Sequence, residues 1–132
     1  MERQTRSTKQ RSIMLAKLCS VNDHPTADEL YARVRVDLPR LSLGTVYRNL
    51  DLLVRQGLVR CIDCAGLQKR FDGNLAPHHH VRCVECGRIG DVYGDIPLPD
   101  FTRMRVDEFT LTGADVLFSG ECAQCARCRE AQ

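Results

Sequence analysis

The 132-residue sequence contains no apolar run long enough to span a membrane. Its first residues, "MERQTRSTKQR", are charged and polar, unlike the start of a secretory signal peptide. We therefore expect a cytoplasmic protein with no membrane partner. No nucleophile motif is evident either, so an enzyme acting on a small-molecule substrate is the weakest functional class.

The chain also has few residues with which to build a core. Its length allows one ordinary domain or two small ones. Below about 70 residues a hydrophobic core usually needs the help of a metal, a disulfide or a partner chain. The eight cysteines, in a cytoplasmic chain, indicate metal or redox chemistry rather than a set of disulfides. Two small domains would thus depend on metals or on dimerisation.

Charge is distributed unevenly along the sequence. Residues 1–70 contain 13 lysines and arginines against 7 acidic residues, a net charge of +6, whereas residues 71–132 contain 6 against 10, a net charge of −4. A basic first half joined to an acidic second half fits a nucleic-acid-binding module attached to another unit.

Three helices are predicted in the first half. The first covers about residues 7–19, and Thr26 would be the N-cap of the second, with Glu29 completing a capping box. Ser42 would cap the third helix, and Gly57 is suited to the position after its end. Apolar residues repeat at helical spacing in the second and third helices and predict their buried faces: Leu30, Tyr31 and Val34, then Val46, Leu50 and Leu53.

Two short strands should follow, formed by "LVRCID" and "LQKRFD" around the turn Cys64-Ala65-Gly66. Three helices and a hairpin in this order predict a winged helix-turn-helix within an α+β fold. Side chains suited to phosphate and base contacts are expected on the exposed face of the third helix and on the hairpin, which would be the wing: Thr45, Tyr47, Arg48, Asn49, Arg55, Lys69 and Arg70. The alternative is an ordinary solvated helix face.

The stretch "FDGNLAPHHHVRCVECG", residues 71–87, concentrates potential metal ligands. If residues 78–84 form a strand, His78 and His80 point to one face, and His79 points to the other. Cys83 lies three positions after His80, so it also faces away from the His78 side. One ion is therefore not expected to bind both the histidines and the cysteines, and the stretch should contribute to two sites.

Cys83 and Cys86 form a metal-binding knuckle in which Gly87 relieves the turn. Four thiolates in a closed tetrahedral site are typical of structural zinc. The second pair could be Cys61/Cys64, Cys122/Cys125 or Cys125/Cys128, and spacing alone favours Cys61/Cys64 as in a zinc ribbon. However, a wing held in such a ribbon would lose its reach to DNA.

The segments "HPTADELY", "SLGTVYRNLDLLVRQGLV", "RFDG" and "HHHVRCVECGRIGDV" resemble the ferric uptake regulator family of metal-dependent repressors. The resemblance runs from about residue 10 to residue 126, with the motifs in the family's order. It implies a winged-helix DNA-binding domain over residues 1–72, a hinge over residues 73–77 and a small α/β dimerisation and metal-binding domain over residues 78–132. It also places a DNA-contacting tyrosine at Tyr47.

The same resemblance implies which residues bind metals. It pairs Cys83 and Cys86 with Cys122 and Cys125 as the structural zinc site. His78 and His80 need oxygen or nitrogen partners nearby, and Asp72 and Asp91 lie close to them in the sequence. The resemblance adds His24 from the DNA-binding domain. Three histidines and two aspartates suit Fe(II) or Mn(II) better than a closed zinc tetrahedron.

A metal-dependent repressor that binds palindromic double-stranded operator DNA as a homodimer is the function that the resemblance implies. Aspartate at position 72 and the six-residue step to His78 are similar to the peroxide-sensing branch, in which iron-catalysed oxidation of a ligand histidine, here His24 or His78, releases the repressor. One alternative is a regulator of iron or another divalent metal without peroxide sensing. An alternative from another class is a zinc-ribbon thiol redox protein that uses Cys61/Cys64.

Overall fold

Three helices open the part of the chain that the computed structural model describes, residues 5–63 and 66–131. They are α1 (Arg6–Cys19), α2 (Ala27–Val34) and α3 (Leu43–Arg55). The side-chain oxygens of Thr26 and Ser42 accept the backbone N–H three residues later, which confirms both predicted N-caps. Gly57 follows α3 with a φ of 73°, a left-handed conformation that glycine adopts without strain.

The predicted wing is a two-stranded antiparallel hairpin of β1 (Arg60–Ile62) and β2 (Arg70–Asp72). These strands are shorter than the predicted six-residue runs, because only residues 60–62 of the first run pair with residues 70–72 of the second. Cys64 and Ala65, in the predicted turn, lie outside the described residues. β2 also pairs with the segment that precedes α2, where the Phe71 N–H donates to the Pro25 carbonyl at 3.0 Å. The wing is therefore bonded to the helical unit.

A second sheet forms the C-terminal unit. β3 (His79–Cys83) lies at its centre, antiparallel to β4 (Ile89–Val92) and parallel to β5 (Leu117–Gly120), and α4 (Ala123–Glu130) follows. Parallel neighbours require a crossover connection. Here residues 93–116 make it, and they contain a single short 3-10 turn, Phe101–Arg103. The α+β class predicted from the sequence is confirmed.

The hydrophobic core lies in the first unit. Its buried residues come from the three helices, the wing and the segments between them: Met14, Leu18, Ala27, Leu30, Val34, Leu41, Val46, Leu50, Leu53, Val59 and Phe71. In the described part of the C-terminal unit, only Cys83 and Ile89 are buried apolar residues. This second unit needs further stabilisation from a metal or a partner. Among the helices of residues 5–63 and 66–131, none is long and apolar enough to cross a membrane.

Candidate functional site

Five predicted ligands meet at the junction of the two units. One ligand atom from each of them lies within 4.8 Å of the others, and the five residues are His24, Asp72, His78, His80 and Asp91. All are buried except Asp91, whose side chain is 13 % exposed. A cluster of three imidazoles and two carboxylates that is largely removed from water is a candidate metal centre.

Strand geometry explains why His78 and His80 point into the cluster and His79 points away from it. His78 and His80 lie two positions apart and are both buried on one face, as predicted from the alternation of a strand. His79 faces the other way, and its Nδ1 accepts a hydrogen bond from the Val116 N–H at 3.0 Å. Asp91 pairs directly with His80 across β3 and β4, which brings its carboxylate to the same face.

Backbone carbonyls fix two of the imidazole rings. Nδ1 of His24 lies 3.0 Å from the Ile89 carbonyl oxygen, and Nδ1 of His78 lies 2.6 Å from the Ala76 carbonyl oxygen. A carbonyl only accepts, so each Nδ1 carries the proton. The Nε2 atoms, which are the ones that converge, are then free to bind a metal in the neutral rings.

The two oxygens of Asp72 have separate partners. Oδ1 accepts the Asn74 N–H at 2.9 Å and so fixes the first turn of the segment that joins the two units. Oδ2 faces Nε2 of His78 at 2.8 Å and of His80 at 3.0 Å. Burial raises the pKa of Asp72, but hydrogen bonds from His24, His80 and the backbone outweigh burial, so the pKa falls well below its ordinary value. Asp72 is therefore ionised at neutral pH.

The shared site shifts the pKa values of His24 and His80 in opposite directions. Burial lowers the pKa of His24, but its hydrogen bonds with Asp72 and Asp91 outweigh this effect, and the net pKa is raised. For His80, burial is the largest effect, and the nearby charges of His24 and His78 add to it, so the pKa is lowered. Of these two rings, His24 therefore keeps its proton to the higher pH in the metal-free protein.

The separations of the ligand atoms fit one ion. Nε2 of His24 lies 2.7 Å from Oδ1 of Asp91 and 3.4 Å from Oδ2 of Asp72. Ligands bound about 2.1 Å from a shared ion lie roughly 3 Å apart when they meet at a right angle. The donor set of three imidazole nitrogens and two carboxylate oxygens suits Fe(II) or Mn(II).

A second cluster lies in the C-terminal unit and contains Cys83, Cys86, Cys122 and Cys125, whose sulfurs lie within 4.8 Å of one another. Sγ of Cys86 is 3.8 Å from Sγ of Cys122. Zinc–sulfur bonds of about 2.3 Å in a tetrahedron give sulfur separations of roughly 3.8 Å. Gly87 has a φ of 79°, as the predicted knuckle turn requires. The geometry fits a closed zinc site.

Backbone donors favour the thiolate form of Cys83 and Cys122, whereas the contact with the Cys122 sulfur raises the pKa of Cys125. The Cys122 N–H donates to Sγ of Cys83 at 3.3 Å, and with further backbone donors in the knuckle it lowers the pKa of Cys83 to about 6. The Cys125 N–H donates to Sγ of Cys122 and lowers the pKa of that thiol. Thiolates are the form that binds zinc.

Cys61 and Cys128, each from one of the other candidate pairs, are not part of this cluster. Cys61 is exposed on β1 and lies outside both groups of potential ligands, while Cys64 falls outside the described residues. Cys128 is exposed on α4 and also stands apart from the four sulfurs. The zinc-ribbon arrangement of Cys61/Cys64 with Cys83/Cys86 therefore has no support from the placement of Cys61.

The exposed face of α3 carries most of the predicted DNA contacts. Tyr47 and Arg48 are exposed, and Thr45 is half-buried and accepts a hydrogen bond from Arg48 at 3.0 Å. The prediction that Asn49 shares this face is wrong. Its side chain is buried and donates to Sδ of Met14 at 3.6 Å, because position 49 lies next to Leu50 on the side that packs against α1.

The two predicted wing contacts also differ from each other. Lys69 is exposed, as a phosphate contact requires. Arg70 is not a free wing cation, because its side chain is only 20 % exposed and its Nη1 donates to the His24 carbonyl at 3.1 Å. Parity explains the difference, since adjacent positions on a strand point to opposite faces. Sequence analysis missed this contact because nothing in the sequence locates His24 beside β2.

Comparisons with known proteins find relatives of this chain by sequence and by structure. A sequence profile of the ferric uptake regulator family matches residues 2–116. The peroxide-responsive repressor PerR of Staphylococcus aureus strain USA300 is 33% identical over 121 residues, which cover 91% of this chain and 82% of that protein.

Solved structures give the same picture. The peroxide stress regulator of Campylobacter jejuni superimposes with a TM-score of 0.70 at 30% identity, covering 90% of each chain. The ferric uptake regulator of Helicobacter pylori, described as having three functional metal-binding sites, superimposes with a TM-score of 0.70 at 21% identity and covers 89% of this chain and 80% of its own. Such proteins are DNA-binding, metal-responsive transcription regulators and not enzymes, and they have a winged-helix domain followed by a dimerisation domain. The chain belongs to the ferric uptake regulator family.

Proposed function

We propose that this protein is a cytoplasmic, metal-dependent repressor that binds palindromic operator DNA as a homodimer and senses hydrogen peroxide through Fe(II). The observation that carries the proposal is the cluster of five ligands at the junction of the units. His24 and Asp72 come from the helix-and-wing unit, whereas His78, His80 and Asp91 come from the C-terminal unit. Binding of one ion by all five side chains fixes the position of one unit against the other.

Residues 73–77 act as the hinge between the units in this proposal. When Asp72 shares its carboxylate with His78 and His80 across the hinge, the two wings of a dimer are held at a fixed spacing, which suits the half-sites of a palindrome. Metal binding and DNA binding then favour each other reciprocally, typically by about 1–3 kcal/mol. Loss of the metal leaves the hinge free and lowers operator affinity.

The exposed surface of the C-terminal unit supports dimerisation. β5 is at the edge of its sheet, and its Leu117 and Phe118 are 45% and 39% exposed. Phe109 is 77% exposed in the crossover that precedes it. Exposed apolar side chains beside an open strand edge are suited to burial against another chain. A second copy would supply the core that this unit lacks.

Structural zinc bound by Cys83, Cys86, Cys122 and Cys125 would supplement that core. The four thiolates come from the knuckle after β3 and from the start of α4. Binding of one zinc ion by all four thiolates would hold α4 against the sheet.

Contact with DNA is the role that we assign to four residues of α3 and the wing: Thr45, Tyr47, Arg48 and Lys69.

Peroxide sensing depends on the iron form of the five-ligand site. Fe(II) held by these residues would catalyse the oxidation of a ligand histidine by hydrogen peroxide. In the net reaction the ring loses two electrons and gains one oxygen atom of the peroxide, and the other oxygen leaves as water. A surface cavity of about 580 Å³ reaches Asp72 and Asp91 from the side of the hinge, so a small oxidant has a route to the site. Oxidised His24 or His78 no longer presents a basic Nε2, and the two units separate.

A regulator of metal uptake without peroxide sensing is the second candidate. The same donors bind Mn(II), which does not react with peroxide in this way, and a zinc-bound manganese uptake regulator superimposes with a TM-score of 0.63 at 25% identity. The two candidates share the site and the DNA contacts. They differ in whether a ligand histidine is oxidised.

Two measurements test the proposal. The first is a footprint of the zinc-loaded protein on DNA upstream of its own gene, with added Fe(II), Mn(II) or Zn(II), and protection that requires a metal is expected. The second is peptide mass spectrometry after anaerobic Fe(II) loading and addition of peroxide. We expect an added oxygen on His24 or His78. Metal-dependent protection without that oxygen would favour the uptake regulator, and protection without any metal would contradict both candidates.

A further inference from the structure

Arg70 of the wing contacts the backbone of a predicted metal ligand. Its Nη1 lies 3.1 Å from the His24 carbonyl oxygen and 3.6 Å from Oε1 of Glu29. The guanidinium is thus a bridge between β2 and the start of α2. Glu29 balances the charge of Arg70, so the arginine places no unpaired positive charge beside a cation site.

His24 needs such support because of its backbone conformation. Its φ is 53°, in the left-handed region that L-residues other than glycine rarely adopt. This conformation turns the ring into the cluster, where it is only 1 % exposed, and turns the carbonyl towards the wing. The hydrogen bond from Arg70 and the pairing of Phe71 with Pro25 hold the backbone on both sides of the turn.

Arg60 has the matching position on the other strand of the wing. Its Nη1 lies 3.4 Å from the His78 carbonyl oxygen, and its Nη2 lies 2.9 Å from Oδ1 of Asp115. Arg60 is paired with Asp72 in the register of the hairpin. The wing therefore provides one metal ligand, Asp72, and contacts the backbone of two others through two arginines.

We propose that Arg70 and Arg60 are positioning residues of the metal site, holding His24 and His78 in place for metal binding and coupling the wing to the occupancy of the site. This inference rests on the proposed metal-dependent function and extends it to the wing. Any displacement of the hairpin moves Asp72 and, through the two guanidiniums, the backbone of His24 and His78. The wing then moves together with the ligands.

The test is the Mn(II) affinity of full-length, zinc-loaded protein without DNA, measured by calorimetry for R70Q, R60Q and R40Q. R40Q is the matched control, because it makes the same change at an exposed arginine between α2 and α3, outside the wing and the ligand clusters. We expect R70Q to bind Mn(II) about tenfold more weakly, as is typical when an outer partner of a ligand is removed. R60Q should weaken binding in the same direction, and R40Q should bind like the wild type.

Rescue separates positioning from a general packing defect. R70K keeps one donor near the His24 carbonyl and should recover part of the lost affinity, with zinc content and helical circular dichroism unchanged. No recovery in R70K, or R70Q binding Mn(II) like R40Q, would overturn the inference. If the wild-type protein bound Mn(II) but no operator, the proposed function would be wrong, while the role of the two arginines could still hold. Wild-type protein that binds no Mn(II) would remove both.

Discussion

Nε2 of His24 lies 2.7 Å from Oδ1 of Asp91, which joins two residues that are 67 positions apart in the sequence. The contact connects the segment that precedes α2 with β4, the antiparallel edge strand of the C-terminal sheet. It closes the helical unit against the sheet at the place where three histidines and two carboxylates converge.

Replacing His24 with alanine should abolish the regulatory site but leave the zinc site intact. We expect the Mn(II) affinity of H24A to fall more than about 100-fold, beyond the usual effect of losing an outer partner, because a direct ligand is lost. Zinc content should remain at the wild-type level. The control is H79Q, since His79 faces away from the cluster and glutamine keeps an acceptor for the Val116 N–H. Equal Mn(II) affinities of the two variants would contradict the assignment.

Mn(II) affinity should increase with pH. The pKa of His24 is raised by its hydrogen bonds with Asp72 and Asp91, which outweigh the effect of burial, so the metal must displace a proton there. Burial lowers the pKa of His80, so this ring loses its proton at a lower pH than His24 does. Affinity should therefore rise by up to about tenfold per pH unit until pH exceeds the pKa of His24 in the metal-free protein. Titrations between about pH 6 and pH 8 that show a constant affinity would count against this protonation scheme.

Replacing Cys122 with serine should remove zinc and destabilise the C-terminal unit. Structural zinc contributes on the order of 10 kcal/mol in small domains, and this unit has few buried apolar residues to compensate. We expect C122S to contain almost no zinc by elemental analysis and to melt at a lower temperature. C128S is the matched control on the same helix and should keep its zinc. Zinc loss in C128S with retention in C122S would reverse the ligand assignment.

Within α3, Asn49 should contribute to the stability of the fold, whereas Tyr47 should contribute to DNA binding. Truncation of buried Asn49 to alanine removes its contact with Met14 and should lower the free energy of unfolding by about 1–2 kcal/mol. Y47A, at a position 45% exposed, should change it by no more than about 0.5 kcal/mol but should weaken operator binding. Urea unfolding and DNA titration of both variants separate these effects. If N49A were as stable as the wild type but bound DNA more weakly, Asn49 would be a DNA contact, as the sequence predicted.

Adding a methyl group at Gly73 should disturb the hinge. A Cβ there would lie 2.9 Å from the Leu18 carbonyl carbon and 2.9 Å from the Cys19 nitrogen, both in backbone at the end of α1. We expect G73A to lower the free energy of unfolding by about 1–3 kcal/mol and to weaken Mn(II) binding, because Asp72 precedes the displaced residue. G113A is the control, since no atom lies within 4 Å of the added Cβ. Identical unfolding curves for both variants would contradict the prediction and show that the backbone at Gly73 shifts to accommodate a Cβ without loss of stability.

Local sequence signals were sufficient to predict the helices and to predict that His79 and His80 point to opposite faces. The caps at Thr26 and Ser42 depend on hydroxyl groups within three residues of the N–H groups that they satisfy. The opposite orientations of His79 and His80 follow from strand alternation alone. The placement of Asn49 was wrong, because helical periodicity leaves residues at the border of a buried face undecided and only packing against Met14 settles it.

By itself, the sequence determined the ligand types, the α+β order of elements and the need for two separate metal clusters, because these depend on residue chemistry and on periods of a few residues. The family resemblance implied that His24 shares a site with Asp91 and Cys86 with Cys122, but only the tertiary structure showed their contacts and decided that Arg70 meets the carbonyl of His24. Such contacts arise where the two units pack together and where the chain adopts a left-handed turn at His24. Neither leaves a signal within any short segment, because both depend on the free energy of the whole packed chain.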